Sequence, residues 1–418
     1  MTAEGVSRRA RVVVIGAGFA GSSFLRGLPP SLRKPGETLL IDRAEEYPFI
    51  PLIHEVAVGR IHPDSVRFPI KSLCKNRCDF LNAEVRGLNL NHKTLETSSG
   101  EIGYEYLVLA AGSGAANPPE EMGEHFQLFW TLEDALQLRN NLNESWNQAL
   151  DRRVPAQPGL LNVAIVGGGA TGVELAAEVA ALFQYLKKRT SRSPGVEPRV
   201  TLFEATDRLL GWLDPYFHYV AMEELEKLGV KVKLDAAVEN ANTEGVKAGG
   251  EWFPAKNRVW TTGIDVSPMV LGLPGEHDAS GRVSVDSHLT IPDHPEVYVL
   301  GDAALYEDPR HGVLPPTASA AVQQGPWAAR DLKRRLSNDA RPPFDFFDRG
   351  YVVSLGPESA VAEAVGAKLR GPVAQALYRS IFLYYLKRSR DRVLATSDWA
   401  MERTLGRVGF SHRPSGSD

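Results

Sequence analysis

Cysteine is nearly absent from this chain of 418 residues, since Cys74 and Cys78 are the only two. No disulfide framework can be built from them, and a reducing compartment is expected. A Cys-x-x-x-Cys pair with no histidine or further cysteine beside it reads as two ordinary thiols, and no metal site is expected. Long apolar runs are also missing: nothing approaches the roughly 18 residues that a membrane-crossing helix needs. The net charge is only −4, so no overall basic footprint points to nucleic acid. The N-terminal SRRARVVVIGAG sets paired arginines before an apolar stretch, as an export signal does, yet the same residues are accounted for as a first strand and turn.

With 43% apolar and 23% charged residues, the chain has an ordinary globular composition, and its length calls for two or three domains. The charge is unevenly placed. From Arg370 onward nine Lys/Arg stand against four Asp/Glu, a +5 tail on a body of −9.

Glycine is arranged in two matching turns. Arg11 to Ile15 is a β-branched run ending in Gly16-Ala17-Gly18-Phe19-Ala20-Gly21, with a helix-like segment to about Leu28. In such a turn Gly16 permits the tight bend, Gly18 leaves room for a pyrophosphate, and Gly21 lets helix pack on strand. The helix N-terminus then faces the phosphates. The acid that completes the pattern is Asp42, 21 residues past Gly21, placed to accept from a ribose 2′-OH. The second unit runs from Asn162 to Val166, through Gly167, Gly169 and Gly172, to VTLFE ending in Glu204. Its acid comes 32 residues after the last glycine, and the excess reads as a basic surface loop, KKRTSRSPGVEPR. A carboxylate at Glu204 repels a 2′-phosphate and favours NADH over NADPH. Two dinucleotide sites in one chain fit a flavin and a nicotinamide, because a hydride passes between them without a reactive side chain. The first is expected to hold FAD and the second NADH.

These residues resemble the pyridine nucleotide oxidoreductase superfamily of two-dinucleotide flavoproteins. YEYLVLAAGS, Tyr104 to Ser113, resembles its strand ending in an A-T-G turn, with Ala111 in place of the threonine before Gly112. VYVLGDAA resembles its second FAD motif, in which Asp302 would bond the ribitol, and WTTGIDVSP, with Gly263, resembles the segment crossing between domains. The resemblance implies an α/β fold: two Rossmann-like dinucleotide-binding domains plus a C-terminal region of strands and amphipathic helices. The expected division is 8–118 and 285–340 for FAD, 119–284 for NADH, and 341–418 for membrane association and dimerisation.

The helix after the first turn has no cysteines, unlike disulfide reductases, and none follow Cys78, unlike sulfide:quinone reductases. PPTASAAVQQG, Pro315 to Gly325, is similar to the A-Q-x-A-x-Q segment of type II NADH dehydrogenases, with Ser319 where that family has its first glutamine. IDRAEEYPFIPLIHEVA and FWTLEDALQLRNNL resemble further segments of the same family. The resemblance implies that Gln323, with Ser319 and Gln324, borders a membrane quinone. An alternative is that the small residues let this helix N-terminus approach the flavin. Glu174 matches a family glutamate near the flavin–nicotinamide junction; it is open to a proton-relay reading and to a helix-dipole reading.

Between Gly371 and Arg392, Val373, Leu377, Ile381 and Tyr384 recur at helical spacing, broadened by Phe382 and Tyr385 and followed by Lys387, Arg388 and Arg390. Trp399 to Val408 sets Met401, Leu405 and Val408 on one face beside Arg403 and Arg407. Apolar stripes with basic flanks suit the headgroup layer of an anionic lipid surface, although such stripes also pack on a protein core. The family uses this region for membrane contact and dimerisation, which implies a homodimer on the cytoplasmic face of the cell inner membrane. The activity implied is non-proton-pumping NADH:quinone oxidoreduction. The alternatives are a soluble reductase feeding an iron-sulfur protein and a slow redox-signalling flavoprotein.

Overall fold

The computed structural model describes residues 6–151, 153, 157–190, 194–386, 388–405 and 407–410. Two compact units emerge, each assembled from three stretches of chain. The first takes Met1–Tyr47, Phe68–Gly114 and Ile264–Asp348; the second takes Pro48–Arg67, Ala115–Gly263 and Arg349–Asp418.

The first unit is built on an eight-stranded sheet. Its path runs Thr290–Ile291, His294–Val299, Gly100–Leu109, Val6–Ile15, Thr38–Asp42 and Asp79–Asn82. From His294–Val299 to Asp79–Asn82 the neighbours are parallel, with Val14 between Leu40 and Val108. Strand residues alternate between faces, and a parallel sheet is covered on both. Val12 and Val14 accordingly enter one apolar cluster with Phe24 and Leu332 of the helices Phe19–Gly27 and Ala318–Ser337. Val13 and Ile15 enter another with Leu39, Leu107 and Val270. Gly325 lets the two helices meet, because a Cβ there would overlap the Ala20 carbonyl and the Phe24 amide. The small residues after Pro315 thus have a packing use in this unit.

The second unit carries a five-stranded parallel sheet in the order Gln127–Leu128, Asn257–Trp260, Asn162–Val166, Arg199–Phe203, Lys231–Lys233. The helix Leu132–Leu150 starts with a capping box between Thr131 and Asp134, which satisfies amides at its N-terminus. A short helix, Ile53–Ala57, packs on Leu132–Leu150 and on Ala170–Arg189. An antiparallel sheet, Val352–Ser354, Ala360–Ala364 and Ala367–Gly371, precedes the helices Pro372–Tyr385 and Ser389–Leu405.

The two C-terminal helices differ in what they face. On Pro372–Tyr385, Ala374, Gln375 and Tyr378 are buried, while Val373 and Tyr384 are 65% and 73% exposed. Of the stripe read from the sequence, Val373 and Tyr384 face outward, Leu377 and Ile381 are half-buried, and Phe382 packs inward on Tyr378 and Phe49. The second helix and the residues after it turn some side chains inward. Trp399 is buried and its indole donates to Glu55 Oε2 at 2.6 Å, and Arg407 is buried against Glu402 at 3.0 Å. Arg379 lies over the Trp399 ring, and Arg388 pairs with Asp391. Part of the tail's positive charge is therefore spent inside the unit. Lys387 and the side chains of Arg403 and Leu405 fall outside the described residues. Met401 is exposed, and the Val408 amide donates to Gly59 O, tying the chain end to the segment after Ile53–Ala57.

Candidate functional site

In the first unit the turn and its acid are locked together. Gly16 has φ +95°, and a Cβ on Gly21 would fall on the Gly16 carbonyl, so the backbone doubles back tightly. A Cβ on Gly18 would meet nothing closer than Tyr47, at 3.9 Å. The turn is thus open at the glycine where a phosphate would approach. Among the described residues no side chain caps Phe19–Gly27, so its leading amides suit an anion. Asp42 accepts from Ala17 N through Oδ2 at 2.8 Å and from Ala44 N through Oδ1 at 2.9 Å. Each oxygen keeps a lone pair for a hydroxyl.

Asp302 lies on the short turn Gly301–Ala303 after the strand His294–Val299, and Ser113 Oγ donates to its Oδ2 at 2.7 Å. Burial pushes this carboxyl up, against the pull of Ser113 and Arg282. Tyr47 senses both acids: burial first, then Asp302 and Asp42, raise its hydroxyl. The structure therefore gathers Gly16 to Gly21, Asp42, Tyr47, Ser113 and Asp302 in one region. Ala111 and Gly112 connect the strand Gly100–Leu109 to Ser113, and a Cβ on Gly112 would meet nothing within 4 Å.

The two glutamines are already engaged. Gln324 is buried, and its Oε1 accepts from Gly301 N at 2.6 Å. It braces the turn of Asp302 instead of offering its amide outward. Gln323 donates to Ser319 O and Phe347 O and accepts from Phe347 N at 3.1, 3.0 and 3.1 Å. Ser319 is in the first turn of this helix, capped by Thr317.

The second unit repeats the turn geometry. Gly167 has φ +113°, a Cβ on Gly172 would fall on the Gly167 carbonyl and Thr261 Oγ1, and a Cβ on Gly169 would meet nothing within 4 Å. Glu204 accepts from Gly168 N at 2.7 Å, and its other oxygen takes Thr206 N and Oγ1, each at 2.8 Å. Gly263 follows Thr261 and Thr262, with φ +75°. The long spacing to Glu204 comes mainly from helix length, 20 residues for Ala170–Arg189 against nine for Phe19–Gly27. Lys187 to Arg189, read from sequence as loop, form the last helical turn, where cations complement the dipole. Ser191 to Ser193 lie outside the described residues.

Glu174 is not in the first turn of its helix, and it points inward. Its side chain is 13% exposed, Oε1 accepts from Ser354 N at 3.0 Å, and Oε2 lies 3.7 Å from His54 Nδ1. Burial, helped by Glu55 and Glu178, overcomes the Ser354 bond and raises its pKa to about 8. One turn on, Glu178 binds the fully buried Arg60, which also holds Glu402 at 3.0 Å and lies 3.8 Å from Glu55. Sequence reading missed this cluster. Its one legible sign is the spacing of Glu174 and Glu178, four apart and so on one helix face.

The type II NADH:quinone oxidoreductase Ndh of Mycobacterium tuberculosis is 29% identical over 421 residues, spanning 94% of this chain and 88% of that protein. A type II NADH:quinone oxidoreductase of Staphylococcus aureus is 27% identical, across 89% of this chain and 94% of that protein. NDH2 from Plasmodium falciparum, solved in complex with NADH, shares the fold with a TM-score of 0.82 at 16% identity, covering 96% of this chain and 99% of that one. The family profile described as pyridine nucleotide-disulphide oxidoreductase matches residues 10–325, a span that holds both glycine turns and Asp302, and the chain belongs to that family.

Proposed function

We propose that this protein is a peripheral, non-proton-pumping NADH:quinone oxidoreductase. The observation that carries the reading is the pair of open glycine turns, each with a carboxylate hydrogen-bonded to its own backbone. Bound FAD would supply the redox chemistry, taking a hydride from NADH and passing two electrons to a quinone. Gly16, Gly18, Gly21, Asp42, Ala111, Gly112 and Asp302 would hold FAD, in the stretches 8–118 and 285–340. Gly167, Gly169, Gly172, Glu204 and Gly263 would hold NADH, within 119–284. Ser319 and Gln323 would border the quinone, with Gln324 behind them holding Gly301.

The test is anaerobic. NADH is expected to bleach the flavin of the holoprotein, a short-chain quinone to restore it, and NADPH to bleach it about tenfold more slowly because of Glu204. Bleaching that quinone fails to reverse would favour an iron-sulfur protein or a signalling role instead.

A membrane quinone requires a lipid surface, and the outer side of Pro372–Tyr385 suits one. Val373→Asp with Tyr384→Asp is expected to weaken binding of the holoprotein to anionic vesicles by about tenfold or more, since charge replaces apolar contact. Undiminished binding would remove this helix from the proposal. Homodimerisation and a cytoplasmic-face location complete the reading; sedimentation of the holoprotein and protease protection in spheroplasts decide them.

A further inference from the structure

Within the second unit, the loop of residues 204–214 joins the strand Arg199–Phe203 to a helix, Pro215–Lys227. It is pressed onto the second glycine turn. Leu210 N donates to Gly168 O at 2.9 Å, and a Cβ on Gly168 would come within 2.6 Å of Leu209 Cδ2 and 2.8 Å of Glu204 Oε2. Gly168 is thus enclosed by the loop and by the carboxylate that its own amide serves. Leu210 holds a left-handed backbone, φ +54°, which costs free energy for a leucine and persists only where neighbouring contacts enforce it. The bond to Gly168 is one such contact. The next comes from the helix, where His218 Nδ1 accepts from Leu209 N at 3.0 Å. Leu209 is fully buried, so its amide has no water to turn to. Further along, Leu213 N donates to Leu210 O at 2.8 Å, and the Trp212 ring meets the Tyr351 ring edge-on at 5.0 Å.

An acceptor at Nδ1 sets the tautomer of His218: its proton sits on Nε2. The side chain is half-buried one turn into its helix. Burial lowers its pKa, against Asp207 and with help from Arg208, so at neutral pH the ring is uncharged and its Nδ1 lone pair is free to accept. We propose that His218 is a positioning residue for NADH: by accepting from Leu209 N it holds the loop against Gly168 and fixes the second glycine turn in the shape a pyrophosphate needs. The inference rests on the reading of this turn as the NADH site. Once the loop is loosened, Gly168 O loses its donor and the Gly168 amide loses its aim at Glu204. The grip on the pyrophosphate and on the ribose then weakens together. Both lie away from the nicotinamide ring that gives up the hydride. The loss should therefore fall on the affinity for NADH and leave the rate at saturation as it was.

The experiment follows anaerobic bleaching of the flavin in the holoprotein over a range of NADH concentrations, which gives a half-saturating concentration and a limiting rate. His218→Phe and His218→Leu keep apolar bulk of two sizes and remove the acceptor. His218→Asn returns one, because its side-chain oxygen stands as far along the chain as Nδ1. The half-saturating concentration should rise by about tenfold or more in the Phe and Leu variants, since a buried amide is left without a partner. In His218→Asn it should stay within about threefold of the wild type. Limiting rates and flavin content should match the wild type throughout, and the flavin content shows that each variant has folded. An Asn variant as weak as the other two would overturn the assignment, because packing of the ring and not acceptance would then hold the loop. So would Phe and Leu variants that saturate like the wild type, or a fall confined to the limiting rate. Should neither apolar variant retain flavin, His218→Asn alone decides, and a tenfold rise there overturns the assignment. A wild type that NADH does not bleach would sink the NADH reading and this inference with it, whereas normal bleaching with all variants alike would sink this inference only. No quinone is used, so the acceptor does not enter the outcome.

Discussion

Replacing Arg60 with methionine is expected to lower the thermal midpoint of the holoprotein by about 6–20 °C. The side chain is fully buried, as are those of Glu55 and Glu178, and Glu402 is 13% exposed. Burial alone would lower the guanidinium pKa, yet Glu178, Glu55 and Glu402 together hold it well above its ordinary value. Removing one partner of such a buried cluster strands the others, at roughly 3–5 kcal/mol. For a unit of this size each kcal/mol is worth about 2–4 °C. Arg60→Lys should recover only part of the loss, because one ammonium lacks the planar fork that serves Glu178 and Glu402 together. A fall below about 2 °C in Arg60→Met would show that the acids find protons or water at little cost. The expectation is large because the cluster joins distant segments: Arg60 is 118 residues from Glu178 and 342 from Glu402.

Those separations also explain why the cluster was illegible in the sequence. A glycine turn and its acid form one local unit of strand, turn, helix and strand, so spacing reveals them. Asp42 and Glu204 accordingly stand bonded to their turns. Nothing in the local pattern at Arg60 distinguishes a surface arginine from one buried among acids, because its partners are brought to it only by tertiary folding. The C-terminal helices show the same limit. Periodicity finds an apolar face, but a face that meets lipid and one that meets protein look alike. On Pro372–Tyr385, Val373 and Tyr384 are outward while Phe382 packs on Tyr378, and on Ser389–Leu405 the indole of Trp399 turns in to Glu55. Gln324 belongs with these cases. Its neighbour Gln323 shares its residue type, and only the fold sends one amide to Gly301 and the other to Phe347.

Two valine substitutions should separate the functions of the two glycine turns. In Gly21→Val the new Cβ would fall on the Gly16 carbonyl and press the Ala110 side chain; in Gly172→Val it would fall on the Gly167 carbonyl and Thr261 Oγ1. In each case the obstacle is backbone of the turn itself, which no rotamer change relieves, so the turn must open and its amides lose their aim at a pyrophosphate. Because the first turn is the proposed flavin site, Gly21→Val is expected to purify with less than about a tenth of the wild-type flavin, a loss of more than ~1.4 kcal/mol in binding. Gly172→Val should retain its flavin yet bleach with NADH at least about a hundredfold more slowly at low NADH concentration, which corresponds to roughly 2.7 kcal/mol. Flavin absorbance after purification and anaerobic stopped-flow bleaching read the two effects separately. Loss of flavin from Gly172→Val, with normal flavin in Gly21→Val, would reverse the assignment of the two dinucleotides. Equal loss from both would mean that the turns act through folding and not through separate sites. The separation is expected because each acid is tied to its own turn: Asp42 to Ala17 in the first unit, Glu204 to Gly168 in the second.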